Sequence, residues 1–402
     1  MRERSSGDGD GRRTGHGTPG GLRRLVRAGA LGCCGVLLAA GCSGGGGSPE
    51  ASGPSSAPPA RTGTAAAATA APAKGSVTVG RTVATGLRSP WGVVELPGGD
   101  LLVASRDEGT ITRVARDTGR TTPVGEVPGV APGGEGGLLG LALSPDYAKD
   151  HLVYAYFTTV SDNRIARLRY DAQRPAGERL GAPDTILRGV PKGSIHNGGR
   201  IAFGPDGMLY AGTGETGQRG LAQDKASLAG KILRMTPDGR PAPDNPFPGS
   251  LVYSYGHRNV QGLAWDAEKR LWAAEFGQDT WDELNLVEPG GNYGWPVVEG
   301  KAGRAGYRDP VAWWHPSEAS PSGIAYARGS IWMAGLRGAR LWRIPLAGTR
   351  PAAAPEAFLA GEYGRLRTVL PTAAGLLLVT SETDGRGTPS AGDDRILELA
   401  VR

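Results

Sequence analysis

The chain is short of cysteine and of phenylalanine, with three Cys and five Phe in 402 residues. All three cysteines, Cys33, Cys34 and Cys42, lie close to the amino terminus, so no disulfide is available to anything that follows. A folded domain here must be held by its hydrophobic core, and one of this size buries roughly 75% of its unfolded surface. No apolar run is long enough for a permanent membrane span, and no stretch offers a long amphipathic helix. Concentrated positive charge on the body of the chain is missing too. The net charge is +6, but residues 1–41 hold seven Arg against three acids, a net of +4 that leaves +2 for the rest. That balance excludes a nucleic-acid surface.

What the amino terminus does carry is an export pattern. Arg23, Arg24 and Arg27 precede the apolar run Ala28–Ala40, which ends in Leu38-Ala39-Ala40-Gly41-Cys42. This ending resembles the lipobox of bacterial lipoproteins, with the Cys42 thiol as the nucleophile that takes the lipid. Residues 1–41 are expected to be a lipoprotein signal peptide, with an ordinary signal peptide as the alternative. Either Sec or twin-arginine export is compatible with Arg23-Arg24. The expected location is the outer face of the bacterial cytoplasmic membrane, reached through the lipid anchor alone. Residues 42–75 are mainly Gly, Ser, Ala, Pro and Thr with no aromatics, too poor in apolar surface to offset ordering entropy, and are expected to form a disordered tether.

From residue 76 the composition changes and one unit recurs: a short apolar strand, a turn, and a second alternating strand. The copies begin at Gly92, Gly140, Arg200, Gly262, Gly323 and Arg367, spaced 44 to 62 residues apart. Turns such as Pro97-Gly98-Gly99 and Pro205-Asp206-Gly207 link the paired strands with residues that tight reversals prefer. Each interval has room for one four-stranded blade. The expected fold for residues 76–402 is all-β, a six-bladed β-propeller with four-stranded antiparallel blades. A two-sheet sandwich does not account for the regular spacing.

In a propeller, the loops leading into the innermost strands open on one face around a shared funnel. Those positions hold Glu135 before the second copy and His196-Asn197 before the third. Arg258-Asn259 precede the fourth, Ser320-Pro321-Ser322 the fifth, and Arg365 with Arg367 belong to the sixth. Three arginines facing one cavity need an anionic partner, because unpaired like charges oppose desolvation, and arginine forks grip carboxylates bidentately. A histidine among them suits a general base. Glu215, nineteen residues after His196, lies at the far end of the same hairpin, where it is placed to orient the imidazole. On these residues alone, catalysis and plain binding of a carboxylated ligand both stay open.

The same residues lie in longer stretches: Gly134-Glu-Gly-Gly-Leu-Leu-Gly140, His196-Asn-Gly-Gly-Arg200, Gly256-His-Arg-Asn-Val-Gln-Gly262 and Glu275-Phe-Gly-Gln-Asp-Thr-Trp-Asp-Glu-Leu-Asn285. Gly290-Gly-Asn-Tyr-Gly-Trp-Pro296 and Gly364-Arg-Leu-Arg367 complete the set. Together they resemble the soluble aldose sugar dehydrogenases that use pyrroloquinoline quinone (PQQ), relatives of soluble quinoprotein glucose dehydrogenase, over nearly the whole folded part. The resemblance implies oxidation of the C1 hydroxyl of an aldose to a lactone, with hydride passed to the quinone and electrons to an external acceptor. It makes His196 the base, and makes Arg258, Asn259, Arg337, Arg365 and Arg367 contacts of the quinone, with Arg337 standing where the glucose enzyme has lysine. Glu135 stands where that enzyme has a cofactor-contacting glutamine, and an acid there is unfavourable beside a trianion unless it is protonated or reaches calcium. Glu215 replaces an aspartate. Calcium is implied at the carbonyls of Gly277 and Gln278, and a second calcium at positions matching Glu283 and Tyr293, hard oxygen ligands that suit the ion.

Trp313 and Trp314 are candidates for stacking on cofactor or sugar, or for core; Trp272, Trp332 and Trp342 are expected in the core. No partner is evident for His257 or His315. A monomer is expected, since no exposed helix or apolar seam stands out. Two other functions fit a propeller: a lactonase-type hydrolase, which needs several channel carboxylates around calcium, and a binding lipoprotein without redox activity.

Overall fold

The computed structural model describes residues 70–402; the expected signal peptide, Cys42 and most of the expected tether lie outside the described residues. Six antiparallel sheets follow one another around an axis as the blades of a β-propeller, and helix among the described residues amounts to Tyr147–Asp150 and a 3₁₀ turn at Arg219–Ala222. Blade 1 is built from Pro90–Glu95, Leu101–Ser105, Thr110–Val114 and Thr121–Glu126. Blade 2 has Leu138–Leu143, Leu152–Thr158, Asn163–Arg169 and Asp184–Val190, and blade 3 has Ile201–Phe203, Leu209–Gly212, Lys231–Met235 and Val252–Tyr255. Blade 4 comprises Val260–Trp265, Leu271–Glu275, Asp282–Val287 and Ala312–Trp314. Blade 5 comprises Pro321–Ala327, Ser330–Gly335, Arg340–Ala347 and Arg350–Pro351, with Glu356–Phe358 also pairing with the third strand. Blade 6 takes Leu366–Pro371, Leu376–Thr380 and Ile396–Val401 from the end of the chain.

The fourth strand of blade 6 is Val77–Ala84, from the opposite end, paired with Ile396–Val401. The ring is therefore closed by hydrogen bonds between the two ends of the domain, which leaves no open seam between the first blade and the last. The domain also begins earlier than composition suggests. Ala71 is buried and donates its N–H to Leu346 O at 2.9 Å. Arg343 donates to Pro72 O at 2.7 Å, and Gly75 N–H to Glu356 Oε2 at 2.9 Å. Backbone groups of residues 71–75, placed in the tether on composition, thus have specific partners on blade 5.

Strand registers align Gly92, Gly140, Arg200, Gly262, Gly323 and Thr368 at one position of the innermost strands. The sixth copy is thus displaced by one residue from the Arg367 start read in the sequence. Glycine recurs there because neighbouring inner strands converge: a Cβ on Gly140 would lie 2.2 Å from Gly199 O, and one on Gly262 2.5 Å from Ser322 O. The two copies that are not glycine meet across the axis, where Arg200 Nη2 donates to Thr368 Oγ1 at 3.2 Å. Arg200 thereby fills the neck of the channel, its guanidinium carbon 4.3 Å from the centroid of the Trp91 ring.

The core is divided into six clusters, one in each gap between adjacent blades. Trp272 and Trp332 are fully buried and Trp342 nearly so, as expected of core residues. Each fully buried large apolar side chain contributes about 1.5–3 kcal/mol relative to exposure, and blade-to-blade packing of this kind replaces the disulfides the domain lacks.

Candidate active site

A cavity of about 440 Å³ opens at the axis on the face where the inner strands begin. Trp91, Glu135, His196, Arg258, Asn259, Ser320, Arg365 and Arg367 line it from the leading ends of those strands. Gly277, Gln278 and Arg337 line it from loops that follow second strands. The structure therefore brings His196, Glu135, all four expected arginines, Asn259, Gly277 and Gln278 into one funnel.

His196 sits in the left-handed region, φ 54°. Its Nδ1 is hydrogen-bonded to Glu215 Oε1, and Glu215 is almost wholly buried. The loop carrying Glu215 is clasped to the same segment: Thr216 N–H donates to His196 O at 3.2 Å, and Glu215 N–H to Arg258 O at 2.9 Å. With Nδ1 engaged by a carboxylate, the tautomer and the ring plane are set, and Nε2 is the nitrogen left for a ligand. Asn197, beside it, is a structural residue, since its side chain bonds Gly193 and Asn163.

The arginines are held in two ways. Arg258 lies over the Trp295 ring at 5.5 Å, and burial pushes its guanidinium below the ordinary value. Its Nε, and that of Arg365, are buried without a hydrogen-bond partner among the described residues. Arg367 is buried and pushed down to about 10, chiefly by burial. It donates to Gln261 Oε1 at 3.0 Å and to Asp384 Oδ2 at 2.9 Å. Arg337 is exposed at the rim.

Sequence reasoning missed Arg106, Asp282, Asp384 and Arg386, which also line the funnel. Arg106, Asp384 and Arg386 follow second strands, so extending the search from the loops before inner strands to the loops after second strands would have found them. Asp282 begins the third strand of blade 4. Burial pushes it up to about 7, against N–H donors from Ser320 and Gly277. The lining thus carries six arginines against three carboxylates, Glu135, Asp282 and Asp384, an arrangement suited to a polyanionic ligand.

Both oxygens of Glu135 are occupied. Oε2 accepts the His196 N–H at 2.7 Å and Oε1 pairs with Arg386 Nη2 at 2.9 Å. The repulsion expected between this acid and an anion is thereby offset within the protein.

Gly277 and Gln278 offer carbonyl oxygens that accept no backbone hydrogen bond among the described residues. Gly277 must be glycine, because a Cβ would lie 1.8 Å from Trp281 O. Beside them stands Asp282, so the donor set is all oxygen and hard, as calcium prefers. Glu283 and Tyr293 belong elsewhere: they line a void of about 10 Å³ with Glu275 and Glu299, behind the funnel. Burial and the neighbouring Glu275 push Glu283 up, while the Tyr293 hydroxyl donates to Leu286 O at 2.7 Å. No cluster of three or more His, Cys, Asp or Glu able to hold a metal occurs among the described residues, so a cation would depend on carbonyl oxygens.

Trp313 and Trp314 do not line the funnel. They form the outer strand of blade 4, with Trp314 packed near Trp342 at 5.6 Å. His257 is fully buried, between Ser254 Oγ and Glu275 Oε1, each at 2.8 Å, and His315 stacks on Trp281 at 4.3 Å.

Residues 87–388 match the family described as Glucose / Sorbosone dehydrogenase. A PQQ-bound aldose sugar dehydrogenase from Streptomyces coelicolor is 74% identical, with a TM-score of 0.82, covering 83% of this chain and 100% of that one. An aldose sugar dehydrogenase of Escherichia coli is 33% identical over 236 residues, 56% of this chain and 64% of the relative. Quinoprotein glucose dehydrogenase B of Acinetobacter calcoaceticus is 31% identical over 259 residues, 56% and 54% respectively. The chain thus spans less than two thirds of the length of these last two relatives.

Proposed function

The chain belongs to the glucose/sorbosone dehydrogenase family, and on that premise we propose that it oxidises the C1 hydroxyl of aldose sugars to lactones. The cofactors are PQQ and calcium, and an external acceptor takes the electrons. One observation carries this reading: a funnel rich in arginine, two of them with buried Nε atoms that have no partner among the described residues, surrounds a single imidazole held by a buried carboxylate.

The residues present fit the group. Arg258, Arg337, Arg365 and Arg367 would hold the carboxylates of PQQ, with Asn259 beside them. Calcium would be held by the carbonyls of Gly277 and Gln278, near Asp282. Bound PQQ supplies a two-electron acceptor for hydride, made more electrophilic by the cation. The protein's part is orientation, charge and the base. His196 takes the proton of the C1 hydroxyl at Nε2, while Glu215 steadies the imidazolium that forms, as the buried acid does in other histidine-carboxylate pairs. Arg200 and Trp91 fill the neck beneath the site.

A second calcium behind the funnel, near Glu283 and Tyr293, would be structural. A hydrolase of the lactonase kind is disfavoured, because arginines outnumber carboxylates in the lining. Export and attachment through Cys42, with the domain acting as a monomer, complete the proposal; a Cys42→Ser chain remaining in the membrane fraction would argue against the anchor. The main test is reconstitution of the purified protein with PQQ and calcium, followed by dye reduction with glucose or xylose. Bleaching that needs all three components is expected. A protein that binds the quinone but never bleaches the dye would instead be a binding lipoprotein.

A further inference from the structure

The backbone N–H groups at the leading ends of four inner strands do not enter the sheet ladders. Each is taken by a carboxylate instead. His196 N–H donates to Glu135 Oε2 at 2.7 Å, and Arg258 N–H to Glu275 Oε2 at 2.8 Å. Ser320 N–H donates to Asp282 Oδ2 at 2.6 Å, and Arg365 N–H to Glu382 Oε1 at 2.5 Å. The pattern recurs in blades 3, 4, 5 and 6, and all four clamped residues border or line the funnel.

Sheet geometry explains the need. The ladder in blade 3 starts at Ile201, after His196, and that in blade 4 at Val260, after Arg258, so neither amide has a ladder carbonyl to donate to. A buried N–H left unpaired costs about 1–3 kcal/mol, and a charged acceptor makes a bond roughly twice as strong as a neutral one. The acids are also committed elsewhere. Glu135 pairs with Arg386, and the second oxygen of Glu382 accepts Thr388 N–H at 2.6 Å. Both oxygens of each carboxylate are thus engaged within the protein.

We infer that Glu135 and Glu382 are positioning residues, fixing the base His196 and the carboxylate-binding Arg365 through their backbone amides. The inference rests on the proposed function for its kinetic part, and on the fold alone for its structural part. The two clamps share one chemistry but hold residues with different tasks, so their losses differ. For Glu135 the consequence falls on turnover, because the left-handed turn at His196 sets where the imidazole points. For Glu382 it falls on cofactor affinity.

The test uses full-length E135A, E135Q, E382A and E382Q. In cofactor-free protein, amide hydrogen exchange should accelerate about 10- to 100-fold over residues 194–198 in E135A and over 364–367 in E382A, each in its own segment only. Glutamine should restore protection in part, since its one carbonyl oxygen still accepts the bond while its amide nitrogen cannot take the second donor. After reconstitution, E135A should lower kcat more than cofactor affinity, and E382A affinity more than kcat. Wild-type exchange rates in both alanine variants would overturn the inference. So would a loss in E135A confined to cofactor affinity, which would make Glu135 a ligand. If E135A does not fold, E135D withdraws the acceptor while keeping the charge and gives the same exchange readout. Failure of the wild type to bind PQQ or oxidise sugars would sink the proposed function and leave the exchange result to decide the clamps.

Discussion

Arg367 and Asp384 form a buried ion pair at the base of the funnel, Nη2 to Oδ2 at 2.9 Å, with side chains 5% and 2% exposed. The same Oδ2 receives Arg365 Nη2 at 3.0 Å. One carboxylate thus holds two guanidiniums together in the funnel while Arg365 Nε has no hydrogen-bond partner among the described residues. The pairing offsets the repulsion between two neighbouring guanidiniums within the protein itself.

Replacing Asp384 by Asn should destabilise the cofactor-free protein by roughly 3 kcal/mol at neutral pH, because the buried Arg367 and the half-buried Arg365 lose their shared partner. Burial alone would raise the Asp384 carboxyl, but Arg367 and Arg365 outweigh it and hold the group below its usual range. With a depressed folded value, its contribution is present above the unfolded value of about 3.9 and is lost as pH falls through the folded one. Urea titrations at several pH values should show the gap between wild type and variant closing below about pH 4. A gap that stays constant into strong acid contradicts the assignment.

His196→Ala should keep PQQ binding and lose turnover by about 10²- to 10⁴-fold, the usual worth of a positioned general base. Glu215→Ala should fall between that variant and wild type, since the imidazole remains but its orientation is freed. Spectroscopic titration with PQQ and dye-reduction kinetics separate the two properties. Normal turnover in His196→Ala would remove it from the mechanism.

Chelation should abolish turnover, and added calcium should restore it better than magnesium, because carbonyl-rich sites fit the larger ion. Gly277→Ala should block that restoration, since the new methyl would collide with Trp281 O. Calorimetric titration of calcium into the PQQ-loaded variant reads this directly; wild-type affinity there would place the cation elsewhere.

A chain starting at Ala70 should fold, whereas one starting after Ala84 should aggregate. The longer deletion removes the strand Val77–Ala84 and exposes the edge of Ile396–Val401, an unpaired strand able to recruit other molecules. Light scattering and thermal melts of the two proteins distinguish them; a soluble, cooperative melt of the shorter one would contradict the closure argument.

The position of His196, Arg258 and Arg365 just before an inner strand is a local fact, readable because a propeller turns sequence phase into spatial direction. Glu215 was readable for the same reason, from its place at the far end of one hairpin. Nothing local marks Asp384 as the partner of Arg367 rather than a loop acid, or His257 as a sealed residue between Ser254 and Glu275. Trp313 and Trp314 read equally well as site or core, and only the register of the outer strand in blade 4 removed them from the funnel.

The amino-acid sequence by itself determined the repeat, the blade count and the residues that lead into the funnel, since strand periodicity and glycine spacing act over a few residues. Tertiary structure alone decided which acid meets which cation and how the ring closes. Those contacts join groups far apart in the chain, such as Glu135 with Arg386 and Val77 with Val401. Their pairing depends on the angles between blades, which no stretch of sequence encodes on its own.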